Sequence, residues 1–220
     1  MSNLIVFSGT DGSGKSTQIK LLINDFNKQG FSTKYIWSRG GYTPLFSSLK
    51  KIFKVSSAIK TSSLGKNNFR KKLLKKKWVS KIWLTMATLD LIIFYVVYIR
   101  MISQIRDIII CDRYIEDTFI DFKRNFPETF NEYSFLWKLL VLLAPSPNKS
   151  FLLFVPVNIS LERSKMKEEP FPDTSETLAF RLKAYLDESI FSSHKYHKID
   201  CQSSIQKINI KIKEKFKELS

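Results

Sequence analysis

The sequence predicts a three-layer α/β fold: a five-stranded parallel sheet flanked by helices. Two features of the chain as a whole carry that prediction. Five short apolar runs recur along it, and helical patterns separate them. Strands buried on both faces read as continuous apolar runs, and parallel neighbours need a crossover helix between them. A third feature fixes the beginning. The first run, Leu4-Ile5-Val6-Phe7, leads straight into GTDGSGKS, Gly9 to Ser16. Strand, glycine-rich turn and helix in that order open a P-loop unit.

The elements follow in order. Leu4–Ser8 is the first strand, Lys15–Asn27 the helix after it, and Lys34–Trp37 the second strand. The loop SRGGYTP leads into a helical pattern at Leu45–Phe53. Residues 54–66 are rich in Ser, Gly and Lys and lack periodicity, so they read as loosely structured. Helix resumes at Phe69 and runs to Ile105, with a break near Val79. Ile108–Cys111, Phe151–Val155 and Tyr196–Ile199 are the remaining strands. Helices are expected at Tyr133–Leu143, Ile159–Lys167, Thr174–Ile190 and Ile205–Lys217. With no internal repeat and no linker, the 220 residues read as a single domain.

Composition narrows the class. A hydrophobic content of 44% with 14% aromatics belongs to a packed protein rather than a disordered one. Two cysteines, Cys111 and Cys201, make no disulfide framework and point to a reducing cytoplasm. Leu4–Phe7 is too short for the apolar part of a signal peptide. WLTMATLDLIIFYVVYIRM is as long as a membrane span, but Asp90 sits near its middle and only Leu91–Ile99 is uninterrupted. A span needs roughly 20 apolar residues, and a mid-bilayer charge costs about 2.5 kcal/mol or more. The segment reads as a core helix.

The formal charge is +16, and it is local. No acidic residue lies between Asp25 and Asp90, while Lys28, Lys34 and Arg39 are followed by twelve Lys or Arg from Lys50 to Lys81. A cationic surface steers anions, and each Lys or Arg at an anionic leaflet contributes about 1 kcal/mol. FRKKLLKKKWVSKIWL sets Phe69, Leu73, Leu74 and Trp78 among lysines, as an interfacial helix does. The other reading is a solvated lysine face, since KINIKIKEKFKEL shows similar bias; that tail, however, contains Glu. No RRM, KH or helix-turn-helix pattern is present, so nucleic acid is not the expected partner.

The motifs carry the chemistry. Gly9, Gly12 and Gly14, with Ser13 between them, let backbone N–H groups converge on a phosphate at a helix N-terminus. Lys15 neutralises β- and γ-oxygens, and Ser16 or Thr17 offers a hydroxyl to Mg²⁺, which implies Mg²⁺ with ATP or GTP. In IIICDRY a strand ends in an acid, so Asp112 is the expected support for Mg²⁺ or its waters. Arg113 then lies at the carboxyl edge of the sheet, where its guanidinium fork suits an acceptor's phosphate. An ordinary strand-end Asp–Arg pair is the alternative. Arg163, Lys165 and Lys167 precede EEPFPD, whose prolines end the helix. Cations there can close over a transferring phosphate, or simply pair with Glu162 and Glu168 on a solvated face. Arg181, on the next helix, is a secondary candidate.

FSGTDGSGKST, SRGGYTP, CDRY, an Arg/Lys-bearing helix and KIDCQSSIQKI together resemble the thymidylate kinases, nucleoside monophosphate kinases of the P-loop superfamily. The order and spacing match over nearly the whole chain. The resemblance implies transfer of the ATP γ-phosphoryl to a nucleoside monophosphate, by default thymidine monophosphate. It implies one kinase domain over residues 1–220, with an acceptor-side region at 39–105 and a lid at 163–174. Asp11 takes the place of the P-loop acid that contacts the acceptor side, Arg39 that of the loop arginine, and Asp112–Arg113 that of the DR pair. Arg163 takes that of a lid cation. Family members often dimerise through helices, for which Leu84–Ile99 offers a face.

Departures from the family are equally specific. Aligning the acid of the F-A-x-D-R-type signature to Asp90 puts Ala87 at the aromatic position and Leu91 at the arginine. Thr118 and Asp121 stand where a polar residue and a tyrosine belong. Base stacking and a charged phosphate hydrogen bond are each worth about 1–3 kcal/mol. Trp83, Phe94, Tyr114 and Arg39 are the candidates to replace them. Otherwise the acceptor differs: a non-nucleotide or membrane-associated group held near Lys50–Lys81. A basic P-loop NTPase gripping nucleic acid stays open as a different class, and a degenerate, non-catalytic binder is a third possibility that the intact Gly14-Lys15-Ser16, Asp11 and Asp112–Arg113 disfavour.

Overall fold

The computed structural model describes residues 3–38, 76–167, 173–187 and 196–217. Arg39, the expected helix at 45–53, the segment 54–66, residues 50–75 of the basic stretch and 168–172 of the lid lie outside the described residues.

The elements are β1 (Asn3–Gly9), α1 (Lys15–Lys28), β2 (Thr33–Trp37), α2 (Lys77–Ile102), β3 (Ile108–Asp112), α3 (Ile115–Asn125), α4 (Phe135–Leu143), β4 (Lys149–Phe154), α5 (Val157–Met166), α6 (Ser175–Leu186), β5 (Tyr196–Asp200) and α7 (Ile205–Lys217). The chain forms two compact units: residues 1–38, 101–120 and 146–220, and residues 39–100 and 121–145.

The first unit holds the sheet. Its five strands are all parallel, in the order β2-β3-β1-β4-β5. β1 and β3 are almost wholly buried, as apolar runs covered on both faces must be. On one face Ile5, Phe7, Ile108, Ile110, Phe151 and Leu153 pack against Ile19 and Leu22 of α1 and Ile208 and Ile212 of α7. Phe7 stacks on Phe151 at 5.1 Å. On the other, Leu152 packs with Ile120 of α3 and Tyr185 of α6. The register aligns Phe7 and Trp37 with Asp112, Gly9 with Leu153 and Phe154 with Asp200. All five strands therefore present their carboxyl ends along one edge, where ligands of open α/β sheets bind.

α3 has no counterpart in the sequence prediction. Its residues IEDTFIDFKRN are strongly amphipathic, with Glu116 and Asp117 in the first turn and Lys123 and Arg124 in the last, the charge order that suits the helix dipole. α6 starts where Thr174 Oγ1 accepts from the Thr177 amide at 3.3 Å, an ordinary N-cap.

In the second unit, α2 and α4 pack together. α2 has no break at Val79; its irregularity is a π-helical stretch at Ile93–Ile99, and it ends at Ile102 rather than Ile105. Trp83 stacks on Phe126 at 4.9 Å, and Phe122, Phe130 and Trp137 complete an aromatic cluster. α2 is long and apolar enough to cross a membrane, with mean hydropathy 2.0 in its most apolar window. Its face bearing Leu84, Ala87, Asp90, Leu91 and Tyr95 is buried, while Trp78, Ile82, Leu89, Ile93 and Val97 are exposed. Of its most apolar window, 44% is buried.

Candidate active site

The site is built at the carboxyl edge of the first unit's sheet. Gly9 closes β1 with φ 139°, and a Cβ there would lie 1.8 Å from the Leu153 carbonyl oxygen, so only glycine fits. Gly14 caps α1 in the left-handed region at φ 89°, with nothing within 4 Å of where its Cβ would be. The helix N-terminus is thus open above the loop.

Lys15 is buried, and its Nζ donates to the carbonyls of Gly9 and Thr10, both at 2.8 Å. Burial, followed by the neighbouring Arg113 charge, pulls its ammonium below the usual lysine range, against the carboxylates of Asp11, Asp112 and Asp117. Asp11 accepts from Arg113 at 2.5 Å and Arg181 at 3.2 Å, while its own carbonyl accepts from Ser160 Oγ at 2.5 Å. Burial alone would raise the Asp11 carboxyl. Arg113, Lys15 and Arg181 overcome it and hold the carboxyl well below its unperturbed 3.8.

Asp112 Oδ2 accepts from the Tyr35 hydroxyl at 3.1 Å, and burial together with that carboxylate pushes the tyrosine's pKa up. Among the described residues, Asp112 Oδ1, Thr10 Oγ1 and Ser13 Oγ are buried without a hydrogen-bond partner. Buried polar atoms are normally satisfied, and of these three residues Asp112 lines a cavity. Asp112, Lys15, Ser16, Asp11, Arg113, Gly12, Gly14, Trp37 and Lys167 line a cavity of about 130 Å³. Ser16 is on that wall, whereas Thr17 is not.

Arg113 is the one described non-glycine residue with positive φ, at 78°. Such a conformation costs on the order of 1–3 kcal/mol and persists where the surroundings over-determine it. Here they do. The Arg113 amide donates to the Phe7 carbonyl at 2.8 Å, and its guanidinium reaches Asp11, Asp117 at 3.3 Å and the Tyr185 hydroxyl at 3.1 Å. Tyr114, by contrast, has no exposed surface.

Arg163 donates to the Gly12 carbonyl and to the Cys201 carbonyl, both at 3.1 Å. It thereby braces the phosphate loop against the turn after β5. Arg181 is buried and pairs with Asp11 at 3.2 Å and with Asp173, while Lys167, just after α5, lines the cavity itself. Asp117, Tyr185 and Asp173 escaped the sequence reading altogether. Asp117 lies four residues after Arg113, a helical spacing that reads as a surface pair until Tyr185 and Ser8 are found on its other sides.

The thymidylate kinase family matches residues 7–212. The chain belongs to that family. It is therefore a nucleotide kinase, a phosphotransferase that binds nucleotide at its P-loop. No curated protein sequence matches it. The match runs from β1 into α7, so the thymidylate kinase pattern embraces both compact units. Within it, Lys15, Asp11, Asp112 and Arg113 converge on the one cavity, while Arg163 and Tyr114 do not line it.

The donor set also suits the metal that such kinases usually use. Among the described residues no three His, Cys, Asp or Glu side chains cluster as a metal cage. One hydroxyl and one carboxylate, both hard oxygen donors, suit Mg²⁺, which keeps waters and takes its other ligands from phosphates.

Proposed function

We propose that the chain transfers the γ-phosphoryl of ATP to a nucleoside monophosphate, with thymidine monophosphate as the default acceptor. The observation that carries this reading is the convergence of Lys15, Asp112 and Arg113 on one cavity, with Asp112 Oδ1 turned to no protein donor among the described residues. Ser16 and Asp112 are the residues to hold Mg²⁺, which supplies charge neutralisation across the β- and γ-phosphates. Lys15 adds its own positive charge there, and the amides from Gly9 to Thr17 cradle the phosphates. Asp11, kept ionised, and Arg113 orient the acceptor, and the guanidinium matches a phosphate bidentately. Arg181 stabilises charge in transit, while Arg163 keeps the loop in shape. Both compact units form one kinase domain in this reading, with 39–105 serving the acceptor and 163–174 the lid.

One observation favours a second reading, an acceptor other than thymidine monophosphate. Ala87, Leu91 and Tyr114 are fully buried, Phe94 nearly so, and Trp83 is engaged with Phe126. These side chains are committed to packing rather than displayed for a base. A phosphate-bearing group at an anionic membrane, met by the basic segment up to Lys81, is the alternative acceptor. The cytoplasm remains the proposed location, in keeping with free, buried Cys111 and Cys201. The exposed α2 stripe is the proposed dimer face.

The test is ADP formation by purified protein with Mg²⁺ across the nucleoside monophosphates, with Lys15→Ala as the blank. Lys15-dependent turnover selective for thymidine monophosphate is the expected result. Nucleotide binding without turnover on any monophosphate overturns the nucleotide acceptor and leaves the second reading.

A further inference from the structure

Beneath the site lies a polar network that the reaction as described leaves unused. Its centre is Asp117, whose side chain has no exposed surface. Oδ1 accepts from Tyr185 at 2.6 Å and from Arg113 at 3.3 Å; Oδ2 accepts from Ser8 Oγ at 2.6 Å and from the Tyr114 amide at 2.9 Å. Those donors come from β1, α6 and both residues of the β3–α3 junction. A carboxylate with four donors is fully satisfied, and removing it would leave a buried guanidinium short of an acceptor.

We propose that Asp117 is a positioning residue: with Tyr185 it fixes the direction in which Arg113 presents its guanidinium to the acceptor's phosphate. The strained backbone gives the reason. At φ 78° the Arg113 main chain does not hold itself in place. Asp117 ties down both sides of that strain, receiving the guanidinium on one oxygen and the next residue's amide on the other. Arg113 is then held from opposite directions, by Asp11 at the phosphate loop and by Asp117 beneath. A site residue locked by its supporting shell loses little freedom when a ligand arrives. Tyr185 Oη bonds both Arg113 and Asp117, so α6, which follows the lid, shares in setting the arginine.

This inference rests on the reading of Arg113 as the acceptor-phosphate ligand, and the experiment separates the two. Arg113→Ala, Asp117→Asn, their double variant and Tyr185→Phe are prepared in the full chain. Thymidine monophosphate binding is titrated in the presence of Mg²⁺ and a non-hydrolysable ATP analogue. The arginine side-chain signals of ¹⁵N-arginine-labelled protein are followed in parallel. Asp117→Asn should weaken thymidine monophosphate at least tenfold, leave the ATP analogue within twofold, and add little in the Arg113→Ala background. It should also abolish the slowly exchanging Arg113 guanidinium signal while that of Arg181 stays. Tyr185→Phe, which leaves no buried charge unpaired, should show the same pattern more weakly, and it decides the matter if Asp117→Asn does not fold. If Arg113→Ala weakens the monophosphate but neither other variant does, Asp117 is not a positioning residue and the Arg113 reading stands. Equal weakening of both nucleotides, or full additivity in the double variant, reveals a merely structural role and overturns the proposal. If Arg113→Ala has no effect, or wild type does not bind the monophosphate, the acceptor reading itself fails. An unchanged Arg113 signal in Asp117→Asn overturns the inference whatever the acceptor.

Discussion

Asp11→Asn removes one negative charge from between two buried guanidinium groups and changes little else in size or shape. Breaking a fully buried ion pair costs about 3–5 kcal/mol because the surviving charge is stranded. Two features of the site lower that figure. The Asp11 side chain is 27% exposed, so water screens part of the loss. Neither arginine is stranded, since Arg113 keeps Asp117 and Tyr185 and Arg181 keeps Asp173. About 1–2 kcal/mol remains, which for a chain of this length lowers the melting temperature by about 2–8 °C.

The pH dependence gives the prediction its edge. The Asp11 carboxyl sits below 3.8 in the folded chain, so the folded state releases that proton more readily than the unfolded state does. Its stabilisation is therefore fully present above about pH 4–5 and drains away as pH falls below 3.8 toward the folded value. Asparagine cannot titrate. Melts of both proteins from pH 7 to pH 3 should show a constant gap down to about pH 5, then a narrowing one. A gap below half a degree at pH 7, or one that persists undiminished at pH 3, would refute the electrostatic account of this site.

Two further substitutions and one labelling experiment probe the frame around it. Gly9→Ala should cost more than about 4 kcal/mol, because its Cβ would meet the Leu153 carbonyl oxygen at 1.8 Å and must push β1 and β4 apart. Gly14→Ala meets no atom and should cost only about 1–2 kcal/mol for its left-handed backbone; soluble yield and melting temperature check the order, and its reversal counts against the loop geometry. Neither thiol should react with a disulfide reagent at pH 8 in the native protein, and both should react in guanidinium. Burial pushes Cys111 up, and burial with the Asp200 charge pushes Cys201 up to about 12; a native thiol reacting within the mixing time would contradict their enclosure.

Much of the frame was legible because the physics that makes it is local. A strand covered on both faces must be apolar throughout, so β1, β3 and β4 appear in the sequence as runs of Ile, Leu, Val and Phe. The phosphate loop is legible for the same reason, since its backbone conformations demand glycine at fixed places. α3 was readable in principle, since Ile115, Phe119, Ile120 and Phe122 supply apolar residues between its charged ends. The π-helical stretch in α2 left no mark, since nothing in IFYVVYI distinguishes it from ordinary helix.

The electrostatics of the site was the illegible part, and distance along the chain explains it. Asp11 meets Arg113 across 102 residues and Arg181 across 170, and Tyr185 meets Asp117 across 68. No local pattern announces such pairs; they exist because a parallel sheet brings every strand's carboxyl end to one edge. The same geometry sends two arginines to different partners. α5 runs beside the phosphate loop, so the Arg163 guanidinium finds the Gly12 and Cys201 carbonyls. Arg181 comes later in the chain, but α6 returns over the opposite face, where Asp11 is within reach. Basic residues less than twenty positions apart are thus interchangeable in sequence and distinct in the fold: one bonds carbonyls at and beside the phosphate loop, and the other pairs with Asp11 inside it.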